Sequence, residues 1–349
     1  MGKSAVVLFI SVLLCGAAAA AETGIQVYGV WHCGSDLCGW DHLRDIGEFD
    51  SKNHWLIDRG DGVPSVNLVV LSFVNPLRLL NLTNDDRTSQ GIPLGMTPDI
   101  INYFASRNVR VMLSIGGFTY TRDWDAALAN DPTQLGVNAA KAAQRLNVGM
   151  EIDYENDDHP NLAALQKFID AYRSILPYDS TGHSPAARLT IDLAFDDGYL
   201  NSLSQFATDN WLQTAHPVLD YANAMVAFDK ADGTITQAGW QEHIDGKPPV
   251  APLAPAKLTG SLFIVSRRNL TPECTDFQSS LENVTGKFVQ TVPPHGAGAT
   301  PGILGYMFWA AGCPGSRAGC TAPPNSCSAV SAGSTFYKIA VPMPALRQN

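Results

Sequence analysis

Apolar and β-branched residues along this chain gather into eight short runs: 25–31, 67–74, 109–117, 148–155, 189–195, 221–229, 258–265 and 302–310. Runs of this length and composition predict strands buried on both faces, as in a parallel sheet. Several stretches between them have helical periodicity. The segment 97–107 opens on Thr97-Pro98, a good N-cap and first-turn pair, and 135–146 and 161–174 are similarly amphipathic. Eight strands alternating with helices predict a single-domain (β/α)8 TIM barrel. An open doubly wound sheet is the competing arrangement, but no GxGxxG follows the first run. No change of composition marks a second domain. The Pro-rich stretch 247–255 reads as a loop before the seventh strand, and 293–301 and 312–327 read as Gly/Pro/Cys-rich loops beside the last one.

One run breaks the pattern. In Val148-Gly149-Met150-Glu151-Ile152-Asp153-Tyr154-Glu155, three acids alternate with three apolar residues. A strand sends alternate side chains to opposite faces, so Glu151, Asp153 and Glu155 share one face. In a barrel the apolar set suits the helix side, and the acids then point into the closed interior, rising to Glu155 at the C-terminal end, where such barrels carry chemistry. Like charges so close cannot all ionise, so at least one acid keeps its proton near neutral pH, a state useful to a general acid. The plainer reading is an acidic edge strand facing water.

Charge and cysteine usage narrow the setting. The 349-residue chain carries a formal charge of −10 and no Lys/Arg cluster, which argues against nucleic acid and anionic membranes and leaves room for a neutral or cationic substrate. Residues 1–21 read as a secretory signal peptide, with Lys3 at the positive end, an apolar run over 5–15 and small residues over 17–21, so the mature chain is expected to begin near Glu22. The apolar run is too short to span a membrane. Leu14 before Cys15 is bulky for a lipoprotein cleavage site. Cys33, Cys38, Cys274, Cys313, Cys320 and Cys327 then remain, and an even count in a secreted chain predicts disulfides. Cys33–Cys38 would close a local loop; the pairing of the other four stays open. No CxxC pair or HxxxH supports zinc, and neither metal nor cofactor is expected. Sequons at Asn81, Asn269 and Asn283 predict exposed loops, the second with Pro272 directly behind it.

The acidic run resembles the fourth-strand motif Asp-Gly-x-Asp-x-Asp-x-Glu of glycoside hydrolase family 18, the chitinase and endo-β-N-acetylglucosaminidase family. Asp153 and Glu155 match, Glu151 replaces an Asp, and Val148 replaces the first Asp. Three further stretches lie in the family's order. Leu113–Phe118, LSIGGF, resembles the third-strand Ser-x-Gly-Gly. MVAFD resembles the sixth-strand Met-x-Tyr-Asp, placing Met225, Phe228 and Asp229. Trp309 in GYMFWAAG resembles the last-strand Trp that floors the sugar site.

The resemblance implies a secreted, monomeric enzyme acting on a polysaccharide or glycan containing N-acetylglucosamine, with retention of configuration. Glu155 would be the general acid/base. Asp153 would hydrogen-bond the substrate's acetamido N–H while its carbonyl oxygen attacks the anomeric carbon, and Glu151 would share a proton with Asp153. Asp229, Phe228, Trp309, Met225, Tyr28, Phe73 and Gly117 complete the expected substrate site; of these, residues such as Tyr28, Phe73 and Met225 on strands are more often barrel filling than ligand contacts, and Gly116 and Gly117 suit close approach of backbone to the acidic strand. Trp31, Trp40, Trp124 and Trp211 are read as surface packing rather than as extensions of a sugar groove. His32, His42 and His54 have no partner legible in the sequence. Chitin is the expected substrate, with the core of N-glycans as the alternative and a non-catalytic chitin-binding lectin as the second. The presence of Glu155 favours an enzyme; Phe228, lacking the family hydroxyl, leans the other way. Some family chitinases insert a small domain after the seventh strand, and the chain between Val265 and Gly302 is too short for one, implying a shallower cleft.

Overall fold

The computed structural model describes residues 26–32, 40–58, 62, 64, 66–193, 200–225, 233–263 and 303–309. The signal-peptide expectation, all six remaining cysteines, two of the three sequons and most of the chain between the last two strands lie outside these residues.

Ten strands are formed among the described residues. Eight close into one parallel barrel: β1 (Val27–His32), β2 (Leu68–Val74), β5 (Arg110–Gly116), β6 (Gly149–Asp153), β7 (Leu189–Leu193), β8 (Ala222–Ala224), β9 (Leu258–Phe263) and β10 (Gly305–Trp309). Their order around the barrel follows the chain, with β10 pairing back onto β1. A small antiparallel hairpin, β3 (Thr88–Ser89) with β4 (Ile92–Pro93), stands apart. Each barrel strand falls within one of the eight apolar runs, to within a residue at its ends. The helices are α1 (Ile46–Ile57), α2 (Pro76–Leu80), α3 (Pro98–Ala105), α4 (Thr121–Asn130), α5 (Pro132–Leu146), α6 (Leu162–Ile175), α7 (Asn201–Asn210) and α8 (Gly233–Asp245).

The acidic strand is delivered by its helices. Asp131 caps α5 through a hydrogen bond from Gln134 N, with Pro132 in the first turn. The helix ends at Asn147, which adopts left-handed dihedrals (φ 55°, ψ 47°), and the chain turns straight into β6. Asn161 caps α6 in the same manner, accepting from Ala164 N. The two helices pack tightly because Gly136 has no side chain: a Cβ there would lie 2.2 Å from Phe168 O. On the helix side of β6, Met150, Ile152 and Tyr154 are fully buried in the main core. Inside the barrel a second apolar cluster, Val27, Trp31, Leu68, Val70, Met112, Tyr221 and Met307, fills the lower half. It forms a closed floor, as expected for a barrel whose interior is packed rather than open.

Candidate active site

Above that floor sits a polar layer. Glu151 is wholly buried, held by the indole N–H of Trp31 on β1 (2.8 Å to Oε1) and by the side-chain amide of Asn223 on β8 (2.7 Å to Oε2). Thr259 on β9 in turn donates to Asn223 Oδ1 at 2.5 Å and fixes the orientation of that amide. Four strands therefore meet at one carboxylate. Asp153, one step up the strand and 4% exposed, follows on the same face, and Glu155 stands past the end of β6, only partly buried. The three acids are thus brought together in the order the alternation predicted, inside the barrel, with Glu155 toward its C-terminal end. The reading as a solvent-facing edge strand is excluded.

A fourth acid joins them. Asp192 on β7 is 2% exposed and contacts Glu151 across the strand pair. Nothing in the run Leu189–Leu193 marked it beforehand; a lone acid in an otherwise apolar parallel strand was the available clue.

Burial governs the protonation of this cluster. It pushes Glu151 up to about 7, against hydrogen bonds from Trp31, Ser114, Asp192 and Asn223 that favour its charged form. Burial also raises Asp153, helped by the neighbouring charges of Glu155 and Glu151 and by its hydrogen bond to Glu155. Asp192 is likewise raised, first by burial and then by Glu151 and Asp153. Asp153 Oδ1 and Asp192 Oδ1 are both buried without an N–H or O–H donor among the described residues, a state that a carboxyl group tolerates when it carries or shares a proton.

The exit of β6 is clamped by α4. Trp124 directs its indole N–H to Ile115 O and Asp153 O, both at 3.1 Å, tying the ends of β5 and β6 together. The next residue, Asp125, accepts from Tyr154 Oη (2.6 Å) and from Asn156 Nδ2 (2.9 and 3.1 Å). Glu155 is thereby flanked on both sides by residues anchored to one carboxylate. Gly116 and Gly117 have positive φ (121° and 87°), and Gly117 N donates to Asp153 O at 3.0 Å. A Cβ on Gly116 would fall 1.9 Å from Asp153 O, so the expected close approach of backbone to the acidic strand is present. A Cβ on Gly117 would meet the Phe73 ring at 2.9 Å, which places these two residues side by side, level with the end of β6.

The other expected site residues divide. Tyr28 needs correction: it is buried in the core between barrel and helices, and the β1 residue that reaches the acids is Trp31. Strand parity decides this, since 27 and 31 face inward and 28 and 30 outward. Met225, half-buried just beyond β8, packs against the main core. Trp309 ends β10 in register with Trp31, while its side chain, Phe228 and Asp229 lie outside the described residues. Trp40, Trp124 and Trp211 are fully buried rather than surface residues, and His32 does have a partner, pairing with Asn53 at 2.8 Å.

A closed (β/α)8 barrel with a column of buried acids leading up to its C-terminal mouth is the class that fold and site define. No family model matches the sequence, and no curated protein does. Among solved structures the chain is similar to a family GH18 chitinase from Cycas revoluta in complex with allosamidin, with a TM-score of 0.51 and 14% identity, covering 90% of this chain and 98% of that one. It is also similar to a chitinase from Rhizomucor miehei (TM-score 0.49, 16% identity, 81% and 93% of the two chains) and to a family 18 N-acetylglucosaminidase from Paenibacillus barengoltzii (0.49, 10%, 90% and 99%). The barrel is therefore the fold of the family 18 glycoside hydrolases.

Proposed function

We propose that this chain is a secreted, retaining glycoside hydrolase that cleaves β-1,4-linked N-acetylglucosamine in chitin or its oligomers with help from the substrate's own acetamido group. Glu155 protonates the glycosidic oxygen as the C1–O bond breaks and the acetamido carbonyl oxygen closes on C1. Asp153 accepts the acetamido N–H and offsets its developing positive charge. Water then attacks C1, Glu155 takes its proton, and the ring of the intermediate reopens, so configuration is retained. The observation that carries this reading is Asp153, a buried acid with an oxygen that no described protein donor satisfies, hydrogen-bonded to Glu155 near the barrel mouth. The barrel it shares with a chitinase supports the same reading at the level of fold.

The test is product analysis. Chitooligosaccharides are expected to be cut, whereas fully deacetylated chitosan and cellulose oligomers, which lack the acetamido nucleophile, are expected to stay intact. Efficient cleavage of either would overturn substrate assistance. Release of glycan from a high-mannose glycoprotein, with chitin oligomers untouched, would move the substrate to N-glycan cores, and binding without any cleavage would make the protein a lectin.

A further inference from the structure

Glu151 is one methylene longer than aspartate and reaches across to β7, where Asp192 meets it. The groups facing this contact can be named strand by strand. Trp31 on β1 and Asn223 on β8 donate to Glu151, and Asn223, in register with Asp192, hydrogen-bonds that acid as well. Ser114 on β5 and Thr190 on β7 are buried at the same register as Glu151. Tyr221, just before β8, lies near both acids, with Arg188, just before β7, beside it. Asp153 is the remaining acid. Glu151 and Asp192 are both acceptors, and Asp192 Oδ1 receives no N–H or O–H from the described residues. Two carboxyl groups in contact away from water need a proton between them; without it they are like charges at close range.

We propose that Asp192 is a positioning residue that holds a proton against Glu151, so that the four acids work as two pairs, Glu151 with Asp192 and Asp153 with Glu155. The first pair satisfies Glu151 from the side, and Asp153 remains turned toward Glu155 and the substrate. This assignment rests on the hydrolase reading given above. The direction of the protonation equilibria supports it: the hydrogen bond between the two acids favours the charged form of Glu151 and the neutral form of Asp192, so the proton sits on Asp192 and Glu151 accepts it.

Two substitutions separate this from a merely structural role. Asp192→Ala removes one of the groups that donate to Glu151, leaving Trp31 and Asn223, and Asp153 becomes its nearest source of a proton. Turnover on chitooligosaccharides is expected to fall roughly tenfold or more, with KM nearly unchanged, because a hydrogen bond to a charged group is lost and Asp153 is drawn away from Glu155. Asp192→Asn supplies an N–H that cannot titrate. It is expected to restore most of that loss and to move the alkaline limb of the kcat profile to higher pH.

Infrared difference spectra of wild type against Asp192→Asn give a readout that does not need activity. At neutral pH the wild type is expected to show a protonated-carboxyl C=O band that the variant lacks. Absence of that band overturns the proposal, as does an Asp192→Ala protein with wild-type turnover and pH profile. If Asp192→Ala fails to fold, the Asn variant and its spectrum decide. A wild type that shows the band but hydrolyses nothing leaves the proton pair standing and removes the hydrolase reading instead.

Discussion

At the scale of single residues, position along one strand separates acids of the same chemistry. Glu151 is sealed inside the barrel, Asp153 is nearly so, and Glu155 reaches partial exposure past the strand end. Only Glu155 stands where it can meet a glycosidic oxygen arriving from solvent, and its neighbours Tyr154 and Asn156 are fixed to Asp125. Replacing Glu155 by Gln keeps its size and removes its proton. Hydrolysis of chitooligosaccharides is expected to fall by at least about 10²-fold, the usual contribution of a placed general acid, while circular dichroism and sugar affinity stay as in wild type. Equal turnover in the two proteins would take the acid role away from Glu155.

At the scale of elements, the junction of β5, β6 and α4 carries the site. Gly116 turns the end of β5 away at φ 121°, and its missing side chain lets Asp153 O and the Trp124 indole into the same space. Gly116→Ala puts a methyl group onto backbone that has no room to move. A loss of about 2–4 kcal/mol of stability is expected in chemical denaturation, with the catalytic strand displaced. A midpoint within error of wild type would mean that the clamp is looser than its geometry. The strands themselves were legible because parallel barrel strands are apolar on both faces. The acidic β6 was legible because burying three acids on one strand face is costly unless they share protons and serve a site. Trp31 and Asp192 were not legible. All of Val27–His32 is buried, so alternation in β1 gives no hint of which parity faces inward, and Tyr28 looked as suitable as Trp31. The bond from Trp31 to Glu151 spans 120 positions of sequence, and only closure of the barrel brings β1 opposite β6. Asn223 was hidden for the same reason, in a strand of three residues flanked by apolar ones.

At the scale of the whole molecule, buried titrating groups give stability an uneven dependence on pH. His32 is held down to about 4 from 6.5, chiefly by burial. Between those values the unfolded chain binds the extra proton, so His32 makes stability rise with pH. Glu151 acts in the opposite sense. Its shift from 4.5 to about 7 means that the folded chain binds the extra proton in that window, and stability falls as pH rises through it; Asp153 and Asp192, also raised, extend the fall upward. The two trends oppose each other up to 6.5, and above it these acids act without His32. Tm in a calorimetric scan is expected to decline from about pH 6.5 to about pH 8, and less steeply in Asp192→Asn; a flat or rising Tm in the wild type would contradict the raised acids. The apolar floor beneath the acids has a kinetic side as well. Val70, Met112, Tyr221 and Met307 pack the barrel interior with apolar atoms, and of the acids on β6 and just past its end Glu155 is the one that meets solvent. A proton entering past Glu155 would reach Glu151 and Asp192 in series through Asp153, so a sugar at the mouth would slow the exchange of the deep pair with the buffer without stopping it.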